Sequence, residues 1–274
     1  MEGHAFSRED YHNALQETIR QTYEVLERTD ARRAVIHGIK LLESNPIFNA
    51  GTGSRLQKDG QIRMSAAIMS SKDNKFSGVI NIRNVEHPIE VANLLSKEKY
   101  TVLGGNEATE YARLHNFGFY NPMTEPRLKE YKEALLGESG TVGAVALDAE
   151  GTVCAATSTG GIGYELPGRI SDSATVAGTY ASKYAGVSCT GRGEHIINQA
   201  AASRIVTRVE DGMPLQEAVD KLMEEANGYD YRFGIISLDQ LGNMIVGGTR
   251  NMDVLYAKHD GEKAETFLGS PGCR

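Results

Sequence analysis

Tryptophan is absent from this 274-residue chain, and only three cysteines occur, at 154, 189 and 273. Three scattered cysteines are too few for a disulfide framework and lack the CxxC spacing of a zinc site, so a reducing compartment, the cytoplasm, is expected. There is no run of Lys and Arg, and the formal charge is −7. A nucleic-acid footprint needs clustered cations to neutralise phosphates, so nucleic acid is not an expected partner. Nor does any stretch approach the roughly 20 apolar residues that cross a bilayer, and the opening MEGHAFSREDY lacks the apolar core of a signal peptide. The seven histidines show no metal-ligand spacing. What remains is a chain with 40% hydrophobic residues, enough for one large core.

Apolar residues recur at helical spacing at Leu15, Ile19, Tyr23 and Leu26, which predicts a helix over 8–28. A second helix over 31–44 carries Val35, Ile39 and Leu42 inward and must stop before Asn45-Pro46, because proline disfavours helix at the residue ahead of it. Segments 62–69 and 76–82, separated by the polar SSKDNK, predict a hairpin, followed by helices over 88–95 and 107–115. From 120 to 140 the chain is charged, carries two prolines and ends in small residues, which reads as a linker with one short helix.

Beyond it, TVGAVALDAEGTVCAATSTGG gives two apolar strands turned at Asp148–Gly151, and GIISLDQLGNMIVGG echoes that pattern. Two helices, 194–209 and 214–226, fall between these hairpins. Helical pairs alternating with antiparallel hairpins predict stacked sheets covered by helices, a four-layer αββα sandwich of the α/β class.

Gly140-Thr141 lies where the charged linker meets a buried strand, a plausible place for cleavage. Once freed, the α-amine of Thr141 would have a pKa of roughly 7.7–8.0, low enough to deprotonate its own hydroxyl. A threonine opening a strand is otherwise an ordinary β-former. The balance shifts with three segments downstream, TSTGG (Thr157–Gly161), LPGRISDS (Leu166–Ser173) and SCTGRGE (Ser188–Glu194), and with LESNP (Leu42–Pro46) and FNAGTGS (Phe48–Ser54) upstream.

In that order and near that spacing, these segments resemble the plant-type asparaginase and isoaspartyl peptidase family of N-terminal-nucleophile hydrolases. The resemblance covers nearly the whole chain and is strongest from Thr141 to Gly193. It implies a single domain made as a precursor and cut after Gly140 into an α part, 1–140, and a β part, 141–274. Thr141 resembles the nucleophile and Thr159 the threonine that orients it. Arg169 and Asp172 match the pair that grips the substrate's α-carboxylate and α-ammonium. Thr190 and Gly191 match the oxyanion hole, Gly193 offers a carbonyl to the ammonium, and Asn49 matches an α-part residue near the nucleophile. A structural sodium ion in the α part is compatible with the resemblance, and no other cofactor or catalytic metal is expected. The implied reaction is hydrolysis of L-asparagine or β-aspartyl dipeptides through a threonine acyl-enzyme. Glycosylasparaginase activity and a non-catalytic, unprocessed relative are the alternatives. The implied assembly is a homo-oligomer, a dimer of αβ units.

Three departures stand beside the resemblance. Family members usually begin with a strand ending in His-Gly-Gly-Ala-Gly, whereas this chain starts MEGHAFSRED, so one core strand is expected to be absent or replaced. Around 62–69, where relatives tend to carry an acidic pair, Arg63 and Ser65 occur. Arg192 stands between Gly191 and Gly193, where small or hydroxylated residues are more familiar.

Overall fold

A computed structural model of the chain describes residues 6–133 and 140–269. Cys273, the MEGHA terminus and 134–139 of the expected linker lie outside the described residues. In chain order the elements are helices α1 (Arg8–Arg28) and α2 (Ala31–Ser44), strands β1 (Met64–Ser70) and β2 (Lys75–Ile82), and helix α3 (Pro88–Leu95). Next come β3 (Val102–Gly104), α4 (Gly105–Leu114), α5 (Glu125–Lys132), β4 (Val142–Leu147), β5 (Val153–Thr159), β6 (Thr179–Ala181) and β7 (Ala185–Gly191). The chain continues through α6 (Gly193–Gln199), α7 (Ala201–Glu210), α8 (Leu215–Asn227), β8 (Phe233–Asp239), β9 (Met244–Gly248), β10 (Leu255–His259) and β11 (Ala264–Leu268).

Helix boundaries follow local chemistry. Ser7 and Asp10 form a reciprocal capping box that starts α1, and the Asp30 side chain accepts the Arg33 N–H to start α2. α2 ends ahead of Pro46. The expected single helix over 194–209 is corrected to two helices, because Ala200 takes a left-handed conformation (φ +48°) and no Gly or Pro marks the break. After this joint, Ala202 N–H bonds the Ala177 carbonyl and α7 lies against β7.

One sheet has the order β3-β2-β1-β5-β4, antiparallel except between β2 and β3, and so mixes strands from before and after Thr141. The second sheet, β6-β7-β8-β9, is antiparallel throughout, and β10 pairs with β11 beside α1. The two similar hairpins, β4–β5 and β8–β9, thus belong to different sheets, which meet where β4 and β5 contact β7. Helices α2 and α3 pack on the first sheet, α7 and α8 on the second.

Side-chain size differs sharply between these layers. Against the helices lie fully buried Ile39, Ile68, Ile82, Ile89, Leu95, Ile205, Leu222 and Ile235, each worth about 1.5–3 kcal/mol of burial. Between the sheets one end is filled by Met69, Val145 and Val153, while toward Thr141 the residues are small or hydroxylated, among them Gly143, Thr157, Thr179 and Ser188. The hydroxyl-bearing end of the inter-sheet layer is where polar chemistry collects.

Candidate active site

β5 carries Thr157, Ser158 and Thr159 in a strand that is buried along its whole length. Alternation sends Ser158 toward α2 and the other two toward the second sheet. The Ser158 hydroxyl donates to Glu43 Oε1 at 2.6 Å, and Ile89 N–H reaches the same oxygen at 3.2 Å. Burial raises the Glu43 pKa, against hydrogen bonds from His87 and Ser158 that lower it. On the other face Thr179 donates to Thr157 at 2.5 Å, and Thr157 and Ser188 hydroxyls lie 2.6 Å apart, tying β5 to β7. This neutral ladder satisfies its buried hydroxyls by mutual bonding, as a dry interior requires.

Thr159, at the end of the ladder, receives the Thr141 hydroxyl at 3.1 Å and also accepts Gly161 N–H at 3.1 Å. The structure thus brings together two residues singled out in the sequence. Asn49 joins them: its backbone N–H donates to the Gly140 carbonyl at 3.2 Å and its own carbonyl accepts Gly160 N–H at 2.8 Å. The Asn49 side chain spans Gly161 O, at 2.5 Å, and Arg55 N, at 2.9 Å. Glycine is required on both flanks, since a Cβ on Gly140 would lie 2.7 Å from Asn49 Cβ and one on Gly160 would lie 2.5 Å from Asn49 Oδ1.

Thr190 is placed by register. β7 packs Ser188 against Gly143 and Gly186 against Val145, so the two strands run in opposite directions across the gap. Extending that register by one step on each strand would set Thr190 opposite Thr141. Gly191 comes next at φ +129°, in contact with the Arg232 and Phe233 backbone, where any Cβ would collide.

Arg169 lies on the connection between β5 and β6. Its Nε and Nη2 donate to the two oxygens of Glu194 at 2.7 and 2.9 Å, and Nη1 to Glu165 at 3.1 Å. Asp172 is not among its hydrogen-bond partners here. Instead Gly193 sits against both, with a Cβ position 2.7 Å from Arg169 Nη2 and 2.8 Å from Asp172 Oδ1. Asp172 is 3% exposed, its Oδ2 finds no hydrogen bond, and burial pushes its pKa up to about 7 despite Arg169 nearby. A buried, half-satisfied carboxylate beside a guanidinium is a place made for a cation and an anion together.

Sequence reasoning does not single out Glu194 or Glu165. Glu194 closes the SCTGRGE segment and Glu165 precedes Arg169 by four residues, but nothing local says that both turn onto one guanidinium. Glu43 gives no signal either, being remote in sequence from Ser158. Cys189, 1% exposed, has its thiol pushed well up by burial, as does Cys154, to about 12, so both are inert packing residues. Among the described residues no group of three or more His, Cys, Asp or Glu gathers to hold a metal.

A sequence profile described as asparaginase matches residues 3–268. The chain belongs to the asparaginase family. Isoaspartyl peptidase/L-asparaginase of Nostoc sp. is 45% identical to it, with 87% of this chain and 81% of the relative covered. Its counterpart in Synechocystis sp. is 41% identical over 90% and 81%. Plant-type L-asparaginase of Pyrococcus horikoshii is 38% identical over 92% and 91%.

Proposed function

We propose that the chain cuts itself ahead of Thr141 and then hydrolyses L-asparagine and β-aspartyl dipeptides, with Thr141 as nucleophile, inside a four-layer αββα N-terminal-nucleophile fold. The observation that carries this reading is the Thr141 hydroxyl, held on Thr159 next to a Gly140 carbonyl that Asn49 fixes. In the first reaction Thr141 Oγ1 attacks the Gly140 carbonyl carbon and the C–N bond breaks, giving an ester and a free α-amine. Water then cleaves the ester to a Gly140 carboxylate and the Thr141 hydroxyl.

In catalysis the same amine takes the hydroxyl proton as Oγ1 attacks the substrate's side-chain carbonyl. The negative charge on the tetrahedral oxygen is received by the Thr190 hydroxyl and Gly191 N–H. Collapse expels ammonia or the amine of the second residue, protonated by the Thr141 ammonium, and water releases aspartate from the ester. Arg169 takes the α-carboxylate, and Asp172 with the Gly193 carbonyl takes the α-ammonium; the orphaned Asp172 Oδ2 supports the second assignment. The Arg169 fork is filled by Glu194, which is 55% exposed at its side chain and can swing aside when a carboxylate arrives.

The resemblance allows a structural sodium ion in the α part; in the 46–53 loop the Ile47 and Gly53 carbonyls already accept from the Arg127 guanidinium. No helix among the described residues is long and apolar enough to cross a membrane. A cytoplasmic dimer of αβ units is the setting that agrees with the resemblance.

The test is purification of wild type and Thr141→Ala. Wild type is expected to run as two fragments of 140 and 274 − 140 = 134 residues and to release aspartate from both substrate types. Thr141→Ala is expected to stay whole, with activity down by roughly 10⁴-fold or more. A variant that still splits or still turns over refutes the proposal.

A further inference from the structure

We propose that Arg192 is a specificity-determining residue that receives the carboxylate on the leaving half of a β-aspartyl dipeptide. This rests on the reaction assigned to Thr141 and adds the side of the site that asparagine does not use.

The loop from β7 into α6 leaves one residue able to project a side chain. Gly191 is closed off by the Arg232 and Phe233 backbone, and Gly193 by Arg169 and Asp172. Between them Arg192 is exposed, with its backbone N–H fixed on the Arg232 carbonyl at 3.0 Å. Among the described residues no ion pair holds its guanidinium, in contrast to Arg169, which has two carboxylates. A long cation is thus presented on an anchored backbone, one residue from the oxyanion pair.

The same loop carries a stacked aromatic group. His195 Nδ1 accepts the Arg232 N–H at 3.0 Å, so its proton sits on Nε2, and the ring stacks on Tyr231 at 4.4 Å. Tyr231 in turn stacks on Tyr229 at 5.4 Å. Burial and then the Arg192 charge lower the His195 pKa. Arg192 is thus an exposed cation three residues ahead of His195, whose ring belongs to this stacked aromatic group.

A substrate with its carbonyl at Thr190–Gly191 and its α groups on Arg169 and Asp172 has one direction left for the leaving group. In a β-aspartyl dipeptide the second residue's carboxylate is separated from the scissile carbonyl carbon by only the amide nitrogen and one Cα. That is within reach of an arginine on residue 192, and the fork geometry of guanidinium suits a carboxylate. Ammonia, the leaving group of asparagine, meets none of this.

The experiment compares kcat/KM of the processed enzyme for β-aspartyl-leucine, its C-terminal amide and asparagine, in wild type, Arg192→Gln and Arg192→Lys. Wild type is expected to prefer the free acid to the amide by about five- to tenfold, mostly through KM, as one charge-assisted contact allows. In Arg192→Gln that preference and the dipeptide-to-asparagine ratio are expected to fall by the same factor, with partial retention in Arg192→Lys. Equal use of acid and amide by wild type, or an unchanged preference in Arg192→Gln, overturns the inference and leaves the Thr141 reaction standing. If none of the three substrates is cleaved, the reaction assignment falls and this inference with it.

Discussion

Two halves of the candidate site are built from different materials. Around Thr141 the partners are neutral: hydroxyls on β5, backbone groups of Asn49, and glycines at 140 and 160 that admit no Cβ. Around Arg169 they are charged, with Glu165, Asp172 and Glu194 converging on a guanidinium and one carboxylate oxygen left unmatched. The first half depends on packing and needs no occupant to be satisfied. The second leaves Asp172 Oδ2 without a partner and has Glu194 in the Arg169 fork, an arrangement that the binding proposed above would have to rearrange. Neutral hydrogen bonds hold a nucleophile at a set distance, while ionic groups give affinity and respond to pH.

The comparison can be broken at its neutral end first. Thr159→Ala removes the acceptor for both Thr141 Oγ1 and Gly161 N–H. It is expected to slow self-cleavage and to lower kcat of processed protein by about 10²–10³-fold, with Thr159→Ser keeping most of both, as followed by gel and steady-state assay. A smaller effect is expected at the charged end: Arg169→Lys keeps the charge but loses the planar fork, so KM should rise by roughly ten- to a hundredfold. Self-cleavage should proceed as in wild type, because no substrate carboxylate takes part in it. Were Arg169→Lys to block cleavage instead, the two halves would not be separable.

The finest contrast is in pH dependence. Asp172 has its pKa raised by burial to about 7, so it gains a proton as pH falls through that value and can no longer hold an ammonium ion. The Thr141 amine, at roughly 7.7–8.0 when unperturbed, also protonates on that side. Log kcat/KM, which reports the free enzyme, is expected to fall with a slope near two below both values. In Asp172→Asn the slope should drop to near one, measured on whatever activity remains.

Much of this is legible in the residues alone. α1, α2 and α3 fall where periodicity and capping residues put them, because Ser7, Asp30 and the prolines at 46 and 88 act on their immediate neighbours. β7 is hidden, since AGVSCTG carries two glycines and three small polar or thiol side chains and lacks the apolar alternation that betrays a strand. The structure shows why it is so composed: large side chains there would force β7 away from β4 and β5. Thr141, Thr159 and Asn49 stand out through the segments that contain them; the two threonines meet, and Asn49 bonds the glycines beside them. The pairing of Arg169 with Glu194 is invisible in the sequence because the residues are 25 positions apart and joined only by the turn of the chain around β6 and β7.

Gly143 and Gly186 carry a further consequence. They are the spacers between the two sheets, and they lie two and four residues along their strands from Thr141 and Thr190. In the mechanism proposed above, the gap between the Thr141 hydroxyl and the Thr190–Gly191 pair is therefore gauged by missing methyl groups, away from any group that reacts. A side chain inserted at either glycine would act as a wedge, parting the halves of the catalytic machinery while leaving every reacting atom in the protein.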